Sequence, residues 1–145
     1  MTRYLDTSLL VSSLTKETAS EHARAWFARR DPGDLVISDW VVTEVSAALS
    51  VKSRMGTITA AERAEALTVF GRLSDRSFMV LPVERAQFRA AARLADQSAL
   101  GLRAADGLHL AVAQDHGAIL CTMDRRLADA AGVVGVKAEL VFSSN

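Results

Sequence analysis

The chain predicts an α/β protein: a single domain over residues 1–145, built as a three-layer α/β/α sandwich around a central, mostly parallel sheet of four to five strands. Two observations carry this. The strand-like segments are short continuous apolar runs, as in LVIS and AILCT, rather than alternating ones, which is the pattern of strands buried on both faces. They also alternate with amphipathic helical segments, the order that winds parallel strands between two layers of helices.

The elements follow in order. RYLDT, residues 3–7, reads as the first strand, and residues 17–30 as a helix in which Ala23, Trp26 and Phe27 recur at helical spacing. DPGD makes a turn into LVIS, the second strand. Ser38 or Asp39 can cap the helix that follows, which Gly56 ends. Thr59 and Glu62 form a capping box that opens a helix over residues 59–73. FMVLPV is the third strand, residues 84–101 a helix stopped by Gly101, and residues 104–117 a helix stopped by Gly117. AILCT is the fourth strand, residues 124–132 a last short helix, and residues 139–142 a fifth short strand that closes the sheet.

Composition narrows the function classes. At 145 residues, half of them hydrophobic, the chain is long enough to close its own core. No stretch approaches the length of a membrane span and no secretory signal is visible, so a cytoplasmic protein with no membrane partner is expected. Cys121 is the one cysteine, which excludes an internal disulfide and a thiolate metal cluster. Net charge is zero, so no global field draws in a polyanion. Only Lys16, Lys52 and Lys137 among the seventeen basic residues are lysines; the rest are Arg, the side chain suited to forked phosphate contacts.

Four carboxylates point to chemistry. Ligands of open parallel sheets bind outside the carboxyl ends of the strands, above all where the winding reverses. Asp6 ends the first strand and Asp124 follows the fourth, so the two face each other if those strands are neighbours at the reversal. Glu44 has Trp40, Val41, Ala47 and Ala48 three and four residues away, and so projects from an apolar helix face. Asp106 lies in the first turn of the helix that leads into the fourth strand. Each has a plainer reading: Asp6, Asp106 and Asp124 as helix caps or dipole partners, and Glu44 in a pair with an arginine. Converging together, however, the four would repel one another, and a hard divalent cation resolves that; oxygen-only ligation with retained waters suits Mg²⁺ or Mn²⁺. The usual work of such a site is phosphoryl chemistry with a metal-activated water.

With these segments in place the chain resembles the PIN-domain ribonucleases, and among them the VapC-type toxins of bacterial toxin–antitoxin systems. The likeness runs through YLDTSLLV, KETASEHARAWF, LVISDWVVTEVSAALSVKSRMGTIT and LRAADGLHLAVAQDHGAILCTMDRRLADAAG, in that order and spacing. It implies that Asp6, Glu44, Asp106 and Asp124 are a catalytic, metal-binding quartet, and that Ser8 and Thr122 are hydroxyls that line or order the site. It further implies a Mg²⁺-dependent endoribonuclease, with Mn²⁺ able to substitute, that forms a homodimer and is blocked by the C-terminal segment of a small cognate VapB-type antitoxin. Attack by water would leave a 5′-phosphate and a 3′-hydroxyl. Arg103, Arg125 and Arg126 flank the acids and are candidates to hold RNA phosphates. His109, one turn from Asp106, is read as a packed structural residue rather than a participant.

Three alternatives are weighed. An aspartyl-phosphate phosphatase needs a second acid two residues after its nucleophile, where Ser8 stands; a phosphotransfer receiver needs paired acids after its first strand and a late lysine, and neither is present. A catalytically silent PIN-like module that binds RNA or protein is opposed by the intact quartet.

Overall fold

The structure, a computed structural model, describes residues 1–141. Its strands are β1 (Arg3–Leu5), β2 (Leu35–Ser38), β3 (Met79–Leu81), β4 (Ile119–Thr122) and β5 (Ala138–Leu140). Its helices are α1 (Thr7–Leu14), α2 (Ser20–Ala28), α3 (Asp39–Arg54), α4 (Ala60–Arg76), α5 (Arg85–Ala95), α6 (Ala104–Asp115) and α7 (Arg125–Val133). The strands form one parallel sheet in the order β3-β2-β1-β4-β5, flanked by the helices.

This order places the reversal of winding between β1 and β4, the pair on which the sequence reading depended. Leu5 pairs with Cys121, so the two strands end side by side, with Asp6 immediately beyond one and Asp124 just beyond the other. Tyr4, Leu5, Ile37, Leu120 and Cys121 are wholly buried, as their continuous apolar runs require. The sheet edges are shorter and wetter: Met79 on β3 and Ala138 on β5 are exposed.

Helix boundaries follow the caps. Ser38 Oγ accepts from the Val41 N–H at the start of α3. Thr59 and Glu62 exchange both bonds of the capping box that opens α4, a feature worth on the order of 1 kcal/mol.

Three expectations need correction. Residues 7–14 form a helix, α1, that the sequence reading did not assign; β1 stops at Leu5, and Asp6 is the residue before the helix. Helix α5 ends at Ala95 rather than running on to Gly101. A 3-10 turn over Ser98–Leu100 follows, and Gly101 closes that turn in a left-handed conformation that glycine adopts without steric cost. Strand β3 is limited to Met79–Leu81 within the longer run expected. The expected fifth strand is present as β5; Phe142, its last expected residue, lies outside the described residues.

Candidate active site

Asp6 is buried at the end of β1 with φ and ψ of an N-cap residue, yet its side chain makes no capping bond. Its Oδ2 instead accepts from Thr122 Oγ1 at 2.7 Å and from Ser8 Oγ at 3.0 Å. Hydroxyls satisfy a buried carboxylate without neutralising it, so the negative charge remains at the switch point. The same Thr122 oxygen accepts from the Asp124 N–H at 3.0 Å, tying the acid after β4 to the acid after β1.

Asp124 does cap its helix: Oδ1 accepts from the N–H groups of Arg126 at 3.0 Å and Leu127 at 3.4 Å. The plainer reading of this residue is therefore correct as far as one oxygen goes. Asp106, in the first turn of α6, accepts from the Arg103 N–H through Oδ2 at 3.0 Å. Its placement depends on close helix packing. A Cβ on the adjacent Gly107 would stand 2.9 Å from the Ala91 carbonyl oxygen, so only glycine lets α6 approach α5 this closely.

Glu44, half-buried on α3, receives Thr7 Oγ1 on Oε1 at 2.8 Å, and the same oxygen lies 2.5 Å from His109 Nε2. His109 is buried and also stands 3.5 Å from Asp6 Oδ1. Burial alone would push its imidazole down, but the hydrogen bond to Glu44 and the charges of Asp6, Glu44 and Asp106 outweigh this and hold it above its ordinary value. Burial would likewise raise the Glu44 carboxyl; the bond to and charge of His109, with the Thr7 hydroxyl, hold it below the usual carboxylate range instead.

Two shared partners thus link three of the acids at the ends of β1 and β4, Thr122 for Asp6 and Asp124, and His109 for Asp6 and Glu44, while Asp106 bears on them through its charge on His109. Ser8 and Thr122 are the hydroxyls that hold Asp6. His109 and Arg126 stand among the acids, His109 Nε2 against Glu44 Oε1 and the Arg126 guanidinium 3.8 Å from Asp106 Oδ2. All three arginines are exposed beside the site, and Arg126 is turned to Asp106. Sequence reasoning did not single out Thr7; His109 is packed, as expected, and its ring also meets Glu44. The available signals were a second hydroxyl next to Asp6 and a histidine one helical turn from Asp106.

As arranged, no group of three or more His, Cys, Asp or Glu side chains among the described residues is set to hold a metal ion. The donor chemistry nevertheless fits a small hard cation. The hydrogen bonds of each carboxylate fall on one oxygen, although Asp6 Oδ1 also faces His109 at 3.5 Å, and Mg²⁺ takes one or two carboxylates while keeping several waters, so it does not need a closed protein cage.

Residues 3–133 match the family model of the PIN domain, and the chain belongs to that family. Solved structures share the fold. FitAcB from Neisseria gonorrhoeae has a TM-score of 0.72 at 20% identity, over 96% of this chain and 97% of that one. VapC20 from Mycobacterium tuberculosis, a Sarcin-Ricin loop cleaving toxin, has a TM-score of 0.70 at 18% identity, over 89% of this chain and 95% of that one. A toxin–antitoxin complex from Klebsiella pneumoniae has a TM-score of 0.70 at 18% identity, over 99% of this chain and 100% of that one. No curated protein matches the sequence. No helix among the described residues is long and apolar enough to cross a membrane.

Proposed function

We propose that the chain is a divalent-metal-dependent endoribonuclease of the VapC toxin type, held in check by a cognate VapB-type antitoxin and working as a homodimer. The observation that carries this reading is Asp6. It is a buried carboxylate at the topological switch point, held by two hydroxyls and tied through Thr122 to Asp124, with Glu44 against the same histidine. Membership of the PIN family and the kinship in fold to toxin–antitoxin proteins support it.

In this reading Asp6, Glu44, Asp106 and Asp124 hold Mg²⁺, or Mn²⁺ in its place, through the oxygens they do not spend on the protein. A bound ion would polarise a phosphodiester oxygen and ease deprotonation of water. The rest is supplied by the chain. Thr122 and Ser8 hold Asp6, Thr7 and His109 hold Glu44, and backbone N–H groups hold Asp106 and Asp124, so the donors are ordered before an ion arrives. Arg103, Arg125 and Arg126 are exposed beside the site and would position RNA phosphates.

The test is cleavage of a structured RNA by purified protein with Mg²⁺ or Mn²⁺ and with excess chelator. Cleavage is expected only with metal, and Asp6→Asn should abolish it while the thermal transition persists. Cleavage that survives the chelator would overturn the metal-dependent reading, and a folded wild type that binds metal-loaded RNA without cutting it would mark a silent binding module.

A further inference from the structure

Behind Glu44 runs a buried line of hydrogen bonds that holding an ion does not by itself require. It starts at the Val41 N–H, which reaches Ser38 Oγ at 3.4 Å; Ser38 Oγ lies 2.8 Å from the Tyr4 hydroxyl, and that hydroxyl lies 2.8 Å from His109 Nδ1. From Nε2 the line ends on Glu44. Tyr4 and Ser38 are fully buried and His109 is 2% exposed.

The line closes on itself. It begins at the cap of α3, crosses β1, passes through α6 and returns to α3 at Glu44. The donors can be assigned without conflict. Val41 donates to Ser38, Ser38 to Tyr4, Tyr4 to Nδ1, and a neutral imidazole then carries its proton on Nε2. An imidazolium would instead donate from Nδ1 to Tyr4, which turns to donate to Ser38 and leaves the Ser38 proton outside the line. Either way Nε2 presents an N–H to one oxygen of Glu44, and the Thr7 hydroxyl donates to that same oxygen.

A carboxylate on a half-exposed helix face has several rotamers open to it. Two donors on a single oxygen select one of them and leave the other oxygen as the outward donor. Because the same imidazole stands 3.5 Å from Asp6 Oδ1, it also spaces Glu44 from Asp6.

We propose that Tyr4 and His109 are positioning residues that fix the rotamer of Glu44, and its spacing from Asp6, for a divalent cation. This rests on the reading of Glu44 as a metal ligand. Outer partners that orient ligands are typically worth about 10- to 100-fold in metal affinity.

The test measures Mn²⁺ binding to the full-length protein by calorimetry, with thermal melts of every variant. His109→Leu is expected to weaken Mn²⁺ binding by about 10-fold or more. His109→Gln, whose amide can place an N–H near the position of Nε2, should recover most of the loss. Tyr4→Phe should weaken binding in the same direction by less. In a Glu44→Gln background, His109→Leu should cost nothing further, because the side chain it positions is already impaired as a ligand. Wild-type affinity in a folded His109→Leu protein, or an equal loss with and without the Glu44 carboxylate, would overturn the proposal while leaving the nuclease reading intact. If His109→Leu does not fold, unchanged affinity in Tyr4→Phe would overturn it. A wild-type protein that binds no Mn²⁺ would bring down both.

Discussion

The Thr122 hydroxyl donates to Asp6 at 2.7 Å, and with its lone pair accepts the N–H of Asp124 at 3.0 Å, so one buried oxygen sets two of the four acids. Thr122 is fully buried, and replacing it with the near-isosteric valine would leave the Asp124 N–H without this acceptor and Asp6 with one hydroxyl donor fewer. Thr122→Val is expected to cost about 1–3 kcal/mol of stability and to cut nuclease activity by at least 10-fold, on the order of an outer-partner effect. Thr122→Ser keeps the hydroxyl and should stay close to wild type. Chemical denaturation and an RNA cleavage assay on the three proteins decide it. A valine variant as stable and as active as wild type would show that the hydroxyl does not set the two acids.

Neutralising Asp6 separates charge from hydrogen bonding. Repulsion among four acids would make Asp6→Asn stabilising without metal, but His109 stands 3.5 Å from Oδ1 and offsets part of that repulsion. The amide oxygen of asparagine can still accept both hydroxyls. The expected change in metal-free stability is therefore small, within about 1 kcal/mol of wild type, with activity abolished. A loss of several kcal/mol in a metal-free melt would mean that the charge of Asp6 is a structural requirement of the switch point.

Gly107 is next to Asp106 and two residues before His109, so the packing of α5 on α6 bears directly on the site. Alanine would gain about 1 kcal/mol of helix propensity, but its methyl would meet the Ala91 carbonyl at 2.9 Å, and a backbone oxygen cannot rotate away. Overpacking of this kind costs about 1–3 kcal/mol. Gly107→Ala should therefore lower the melting temperature and reduce activity more than a surface change of equal destabilisation does, because α6 carries Asp106 and His109 together. An unchanged or raised melting temperature would show that α5 has room to give.

Much of this was legible in the sequence, for identifiable reasons. Buried parallel strands advertise themselves as apolar runs, so β1, β2 and β4 and the acids at their ends could be placed. Glu44 stood out because its helical neighbours are apolar. Helix α1 was not legible: Thr7, Leu9, Leu10, Val11 and Ser12 are all buried, so TSLLVSSL lacks the contrast between faces that marks a helix at the surface. The end of α5 was missed because Asp96 and Gln97 carry no strong stop signal, whereas Gly101 does. The pairs His109 with Glu44 and Arg126 with Asp106 join helices distant in sequence. Which faces meet is decided by packing, and no local pattern encodes it.

Away from the acid site, Glu139 on β5 gathers Trp26 Nε1 at 2.7 Å and an Arg30 guanidinium nitrogen at 2.5 Å on one oxygen, and Arg3 Nε at 3.3 Å on the other. The Arg30 guanidinium also stacks 3.8 Å above the Trp26 ring, so the cluster fastens α2 to the edge strand. Partial burial would raise the Glu139 carboxyl, but the indole N–H and the two guanidinium groups prevail and hold it below its ordinary value of 4.5. A carboxyl whose value is lower in the folded than in the unfolded chain stabilises fully at pH above the unfolded value. That contribution is lost as pH falls through the folded value. Glu139→Gln should therefore be less stable than wild type near neutral pH, and the gap between the two should close as pH falls below 4.5. Some acid sensitivity will remain in the variant, because Glu17 and Glu44 are depressed in the same direction and titrate in the same window. Denaturant unfolding of both proteins from about pH 3 to about pH 7 measures the gap. A constant gap across that range would mean that Glu139 acts through its packing and neutral hydrogen bonds, with its charge contributing nothing to the joint between α2 and β5.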